Sequence, residues 1–292
     1  MAVCFTAALE LWRLAWPAML RNTLNCASDR ATLTLVGHFD ASKVHYDGAG
    51  LGKMYSNITG LSVGYGLCLG LSTLCSQAYG AGQSRSVNGL LLRRCWFLLG
   101  IAFVFSAAAA FACERVLQAL GQPAAVAVSS ARYAQVQLIG VPFFWLANAL
   151  QTVCDSLQDT RPGLVSNTVS AVAQVLLCVL TVHPSGLDWG YIGMAASRSA
   201  GGVVQLAAIV VLIMRQGRQD EVWSVPESRP GARRVLGCSA LCAFLAVALP
   251  GALIMWLEWW SFEAFSLLVG ILPDSETLLA AHGTMFNVLV IT

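Results

Sequence analysis

Long apolar runs separated by short polar turns set the layout of this chain. A run of about 20 predominantly apolar residues crosses the hydrocarbon core of a bilayer as a helix. The sequence holds seven such runs and the opening of an eighth. The first covers about Leu14 to Phe39, and the second, after the turn Asp40 to Asp47, runs roughly from Ala49 to Cys75. In the second, Gly60, Gly64, Gly66 and Gly70 recur at close intervals, as expected where helices pack backbone to backbone. Spans three to six are predicted at about Leu90 to Ala112, Val126 to Cys154, Leu164 to Val182 and Trp189 to Met214. The polar segment Arg215 to Pro230 reads as the linker. Span seven is then Gly237 to Leu272, with a bend expected at Pro250. The sequence ends at Thr292, inside the predicted span eight.

Polar residues inside these runs carry the functional signal. Span one is interrupted by Arg21, Asn22, Asn25, Asp29 and Arg30, which suits a helix facing a cavity rather than lipid. Span seven is apolar from Pro250 to Pro273 except for two acids near its middle, Glu258 and Glu263. A charge at that depth costs at least roughly 2.5–3.5 kcal/mol on insertion scales, so both acids are expected to face a bundle interior or a wet cavity. Glu263 follows Trp259 and Trp260 by four and three residues, which places all three on one helical face. A carboxylate beside indole rings suits an organic cation, through charge attraction and cation–π contact. Tryptophans also anchor spans at the membrane interface, but these two sit mid-span. Glu258 lies some 140° around the helix from Glu263, so the two acids need not share one ligand. The pattern reads as a transporter helix that binds protons, cations or both.

Composition narrows the class. The chain is 57% hydrophobic and 11% charged, with a mean hydropathy of +0.67; soluble domains average about 25% charged residues. Its net charge of +2 comes from basic residues that form no dense run, so nothing points to nucleic acid. The ten cysteines lack the C-x-x-C pairs of zinc sites, and most, including Cys68, Cys75, Cys95, Cys178, Cys238 and Cys242, lie inside apolar runs as small helix residues. His38, His45, His183 and His282 are scattered near span ends, so no metal site is expected, and no cofactor motif is present. No nucleophile–base pair marks an enzyme. Glu10 and Arg13 stand where a removable signal peptide would need a basic leader and a cleavage site. The basic residues after spans two, four and six and before span one put those loops and the N-terminus in the cytoplasm. Arg21, Arg132 and Arg198 are expected to snorkel from span ends toward an interface. The loop Gln77 to Gly82 reads as a tight cytoplasmic turn.

The chain also repeats itself. Pro17 and Gly37 in span one correspond to Pro250 and Gly270 in span seven at an offset of 233, and A-G-L-G-K-M-Y (49–55) echoes A-A-H-G-T-M-F (280–286) at 231. Three landmarks at nearly one offset indicate duplication. Six spans separate the copies, so both enter the membrane from the same side, as parallel repeats about an axis along the membrane normal. The internal repeat and the paired acids argue against a seven-span receptor.

These residues resemble the multidrug and toxic compound extrusion (MATE) transporters, in their eukaryotic branch. The stretches that carry the resemblance are V-G-H in span one, N-I-T-G-L-S-V-G-Y-G-L (57–67), L-C-S-Q-A-Y-G-A-G (74–82), Y-I-G-M-A (191–195) and L-E-W-W-S-F-E (257–263). The resemblance implies twelve spans, outward-open and inward-open states, and extrusion of organic cations or metabolites against an inward flow of protons. It implies that Glu258 and Glu263 serve proton and cation coupling, and that Asn57 lines the cavity. Asn22 stands where animal members carry a glutamine, and Phe262 where they carry a tyrosine. Thr32 holds the position of the acid that the bacterial branch uses in span one, so that role is not carried over to Asp29.

The expectation is therefore an all-α polytopic membrane protein, comprising a complete six-helix lobe and the first two helices of a second lobe of a 6+6 parallel-repeat transporter. Residues 1–215 form the N-terminal lobe, 216–236 a cytoplasmic linker, and 237–292 the incomplete start of the C-terminal lobe. The expected partners are a small-molecule substrate, protons and the lipid bilayer of a plasma or vacuolar membrane. Two alternatives stand beside this reading: a truncated fragment that does not transport, and export of organic anions or lipid by the same fold.

Overall fold

A computed structural model describes residues 2–40, 42–225 and 236–271, with no strand among them. Its helices follow the apolar runs: α1 (Ala2–Phe39), α2 (Lys43–Ser56), a π-helical turn (Asn57–Leu61), α3 (Ser62–Gly80), α4 (Ser84–Ala119), α5 (Ala124–Leu138), α6 (Val141–Ser156), α7 (Arg161–Val182), α8 (Tyr191–Arg215), the short α9 (Gln219–Val222) and α10 (Cys238–Ile271). The eighth span, the repeat copy at 280–286 and His282 lie outside the described residues.

Span two runs unbroken from Lys43 to Gly80 but winds one π turn at its centre. Hydroxyls ride along this stretch without exposing unpaired polar atoms. Ser56, Thr59 and Ser62 each donate to the carbonyl four residues earlier, at 2.8, 2.8 and 2.7 Å. Predicted span four divides into α5 and α6, which bend by 50° at Ile139–Gly140. Gly140 leaves no room there for a side chain against Ser199 of α8. The bend expected at Pro250 does not end span seven, because α10 continues as one helix through the proline. The linker region contains α9, held to α4 by Asn88, whose Nδ2 donates to the Glu221 carbonyl at 3.1 Å.

Five of these helices are long and apolar enough to cross a bilayer, and the bent pair α5–α6 makes a sixth. By apolar content α1 is not among them. The reason lies in its packing. Arg21 on α1 pairs with Asp155 on α6 at 3.0 Å, and Asp29 pairs with Lys53 and Arg198 at 3.0 and 3.1 Å. Charges matched inside the bundle account for the polar residues on the inward face of α1, which lower the mean apolar content of the helix without exposing charge to lipid.

The main core gathers Leu71, Leu92, Cys95, Trp145, Leu150 and Ile209 between α3, α4, α6 and α8. Small residues let these helices approach. A side chain at Gly64 would collide with the Trp145 indole, and one at Gly70 with Ala248 of α10. The Gly70 contact fixes α10 against α3, which brings predicted span seven onto the first lobe.

The expectation that Arg21, Arg132 and Arg198 snorkel is corrected for two of the three. Arg132 is exposed. Arg198 is buried and Arg21 is mostly covered, each held by a carboxylate from a helix distant in sequence. Cys238 and Cys242 of α10 are exposed, whereas Cys68, Cys75, Cys95 and Cys178 are buried.

Candidate functional site

The α10 half of the site begins with an apolar stripe. Phe244, Ala248 and Ala252 are buried at a spacing of four residues, and the next turn presents Trp256 and Trp259 to α3. Trp256 Nε1 donates to the Ser62 carbonyl at 2.8 Å, and the Trp259 ring meets the edge of Tyr65, centroids 5.9 Å apart. Trp260, expected beside Trp259, is 44% exposed and stacks on Trp256 with the planes 9° apart. The three indoles thus form an aromatic ledge that begins in the α3 contact and ends in the open.

Glu258 is exposed on the side of α10 away from that stripe. Glu263 follows Trp259 by four residues and Trp256 by seven, so in helical register its position continues the α3-facing stripe. The side chains of Phe262 and Glu263 lie outside the described set. The backbone therefore separates the two acids around α10, in line with the 140° read from spacing.

The first-lobe half of the site is polar. Asp29 on α1 accepts three donors: Lys53 Nζ of α2 at 3.0 Å, Arg198 Nη1 of α8 at 3.1 Å and Gln174 Nε2 of α7 at 3.2 Å. Arg198 also donates through Nη2 to Asn57 Oδ1 at 3.4 Å, which ties the π turn into the cluster. Four helices therefore meet at one carboxylate, and Arg198 links the π turn to them. Asn57, expected to line a cavity, is half-buried and bonded to Arg198. Asn22 is exposed on α1 and is not drawn into this cluster.

A second polar string runs from the cluster side of α7 toward the end of α6. Gln205 Nε2 donates to Asn167 Oδ1 at 3.4 Å, and Asn167 Nδ2 donates to Gln151 Oε1 at 3.2 Å. Gln151 packs against the Arg21 guanidinium, which reaches Asp155. At the far end of α1, Asp40 accepts His45 Nδ1 at 2.9 Å and the backbone N–H groups of Ser42 and Tyr191 at 3.1 and 3.3 Å. Polar pairs thus accompany α1 from Arg21 to Asp40, with partners drawn from α6 at Arg21, from α2, α7 and α8 at Asp29, and from α2 and α8 at Asp40.

Reading the sequence alone missed the Asp29–Lys53–Arg198 cluster and the contact of Tyr65 with Trp259. One signal could have found the first. Arg198 lies seven residues inside α8, about 10 Å along the axis at 1.5 Å per residue, too deep to reach an interface easily and so in need of a carboxylate.

With this geometry in place, the chain can be compared with known proteins. The MatE family profile matches residues 17–180. Protein DETOXIFICATION 29 of Arabidopsis thaliana is 30% identical over 290 residues, covering 96% of this chain and 53% of the relative. Protein DETOXIFICATION 52 of the same plant is 25% identical, covering 96% and 53%. Multidrug and toxin extrusion protein 2 of Oryctolagus cuniculus is 28% identical, covering 91% and 42%. The chain spans about half the length of the curated relatives it matches. Among solved structures, the crystal structure of the eukaryotic MATE transporter AtDTX14 superposes with a TM-score of 0.83 at 21% identity, covering 98% of this chain and 62% of that one. A multidrug resistance MATE family transporter in an outward-facing conformation gives 0.75 at 18% identity, with 97% and 62% covered.

Proposed function

We propose, for a chain that belongs to the MatE family and is an integral multi-pass membrane protein, that it forms part of a proton-coupled antiporter extruding organic cations. Residues 1–215 make up the first lobe, 216–236 the connecting segment, and 237–292 the opening of the second lobe. The reading is of a carrier and not of a catalyst.

The observation that carries it is the placement of two acids on an apolar helix docked against the first lobe. Glu258 is exposed on one side of α10, and position 263 continues the side that holds Trp256 and Trp259. Trp259, Trp260 and Tyr65 supply aromatic faces for an organic cation, a contact worth about 0.5–2 kcal/mol. Asn22, Asn57 and Phe262 complete the proposed cavity wall.

The mechanism is competition at the acids. A proton entering from outside neutralises the Glu258/Glu263 site and releases the cation, and loss of that proton inside restores the charge that binds the next one. The cycle turns only if the outward-open and inward-open states differ in affinity for the two ligands. Vesicles carrying the chain, given an imposed pH gradient and a fluorescent organic cation, test this reading. Gradient-driven accumulation that disappears in Glu263→Gln supports it. Accumulation with an unchanged dependence on pH in both Glu258→Gln and Glu263→Gln would refute it.

A further inference from the structure

Two cysteines open α10. Cys238 is its first helical residue and Cys242 stands one turn later, so both project from one side of the helix. Their Sγ atoms lie 4.0 Å apart, and both residues are exposed. Six other cysteines among the described residues are buried, and Cys26 is half-buried. Packing gives this pair no role: the core of the first lobe takes Leu241, Phe244, Leu245 and Ala248 from this end of α10 and neither cysteine. The pair stands where the helix enters the bilayer, since the apolar span Cys238–Ser261 begins with it. Basic residues that precede it in the sequence, from Arg215 to Arg234, place this end on the cytoplasmic side. In that reducing compartment the two sulfurs stay as thiols. Farther along the span, Leu249, Leu253 and Leu257 are exposed within about 100° of Cys238 around the helix.

We propose that Cys238 and Cys242 form a dual S-acylation site, each taking a long-chain acyl group from an acyl-coenzyme A through a membrane acyltransferase. Exposed cysteines at the membrane boundary are the residues that accept such groups. The thiol gives up its proton, and its sulfur attacks the thioester carbonyl carbon of the acyl-coenzyme A. The new bond from Sγ to that carbon replaces the bond to coenzyme A, which leaves as a thiolate and takes up the proton. No oxidant or reductant enters. An acyl chain attached at either sulfur runs into the inner leaflet beside Leu249, Leu253 and Leu257, the apolar side of α10 turned away from α3. The number of cysteines matters, because one acyl chain holds a membrane surface only marginally and two hold it stably. The pair thereby pins the entry of predicted span seven to the inner leaflet.

This site uses neither acid of α10 nor the aromatic ledge, so its test is independent of cation efflux. The full chain is produced in the membranes of eukaryotic cells. Free thiols are capped with N-ethylmaleimide, thioesters are cleaved with neutral hydroxylamine, and the thiols so released are tagged with a polyethylene glycol maleimide. Two hydroxylamine-dependent mass tags per chain are expected, one in Cys238→Ser or Cys242→Ser, and none in the double variant. Cys68→Ser, a change at a buried thiol, should be tagged like the parent chain. Serine at both exposed positions leaves the contacts of Phe244 and Ala248 in place, and an unchanged melting temperature of the double variant separates loss of the acyl groups from loss of the fold. Fewer than two tags on the parent chain, or tags that persist in the double variant, would overturn the proposal.

Discussion

Arg21 Nη1 on α1 lies 3.0 Å from Asp155 Oδ2 at the end of α6, a pair that closes a loop of 134 residues. About a quarter of each side chain remains exposed, 23% for Arg21 and 29% for Asp155. The pair joins the charged face of α1 to the second arm of the bent span.

Its strength is measurable. A pair about three-quarters covered falls between the 0–1 kcal/mol of surface bridges and the 3–5 kcal/mol lost on breaking a buried one. Arg21→Met and Asp155→Leu should each lower the melting temperature of the purified chain. Their double-mutant cycle should give a coupling of about 1–2 kcal/mol, and strict additivity would show that the two side chains do not act as a pair.

Docking of α10 depends on Gly70. A methyl group there meets Ala248 and its backbone, and overpacking of this kind costs about 1–3 kcal/mol. Gly70→Leu should detach α10, seen as a red shift of tryptophan emission as Trp256 and Trp259 lose their contacts with α3. The same emission spectrum in Gly70→Leu and the parent chain would contradict the close approach. Gly80, with nothing near its missing side chain, is the matching control, and Gly80→Ala should leave the emission where it is.

Trp256→Phe keeps a ring against Trp260 but removes the donor to Ser62 at 2.8 Å. The loss should be about 0.5–1.5 kcal/mol, the net worth of one hydrogen bond. Trp256→Ala should cost clearly more, because it removes the stacked surface as well. Urea or thermal unfolding of the two variants side by side decides this.

Asp40 holds the ends of three helices, through His45 of α2, the Ser42 N–H that precedes it and the first N–H of α8 at Tyr191. Asp40→Ala should speed hydrogen exchange at the Tyr191 amide and lower stability by about 1–3 kcal/mol. An unchanged exchange rate at Tyr191 would mean that the carboxylate is not its partner in solution.

Much of the fold could be read from the chain because the length of an apolar run is a one-dimensional quantity. Predicted spans three and five fall inside α4 and α7, span six starts two residues before α8 and ends inside it, and the 140° between Glu258 and Glu263 follows from spacing alone. The bend at Gly140 was hidden because span four is apolar through it, and only the contact with Ser199 gives the glycine a reason. The Asp29 cluster was hidden for a different reason. Its partners lie 24 and 169 positions away, and no local pattern encodes which of several buried cations meets which acid. Arg198 read as a span-end arginine because its carboxylate belongs to another helix. Tyr65 and Trp259 meet through helix packing that the small residues of α3 permit, which is legible as a glycine pattern but not as a named contact.

The π turn at Asn57–Leu61 has a mechanical implication. Such a turn holds one residue more than an α-helical path needs, so returning it to regular winding would swing every downstream side chain by about 100°. Asn57, bonded to Arg198, stands at its start, and Ser62 and Tyr65, which touch α10, stand just beyond it. Contacts to α8 and contacts to α10 therefore sit on opposite sides of this turn, and its winding sets the angle at which span two presents one to the other.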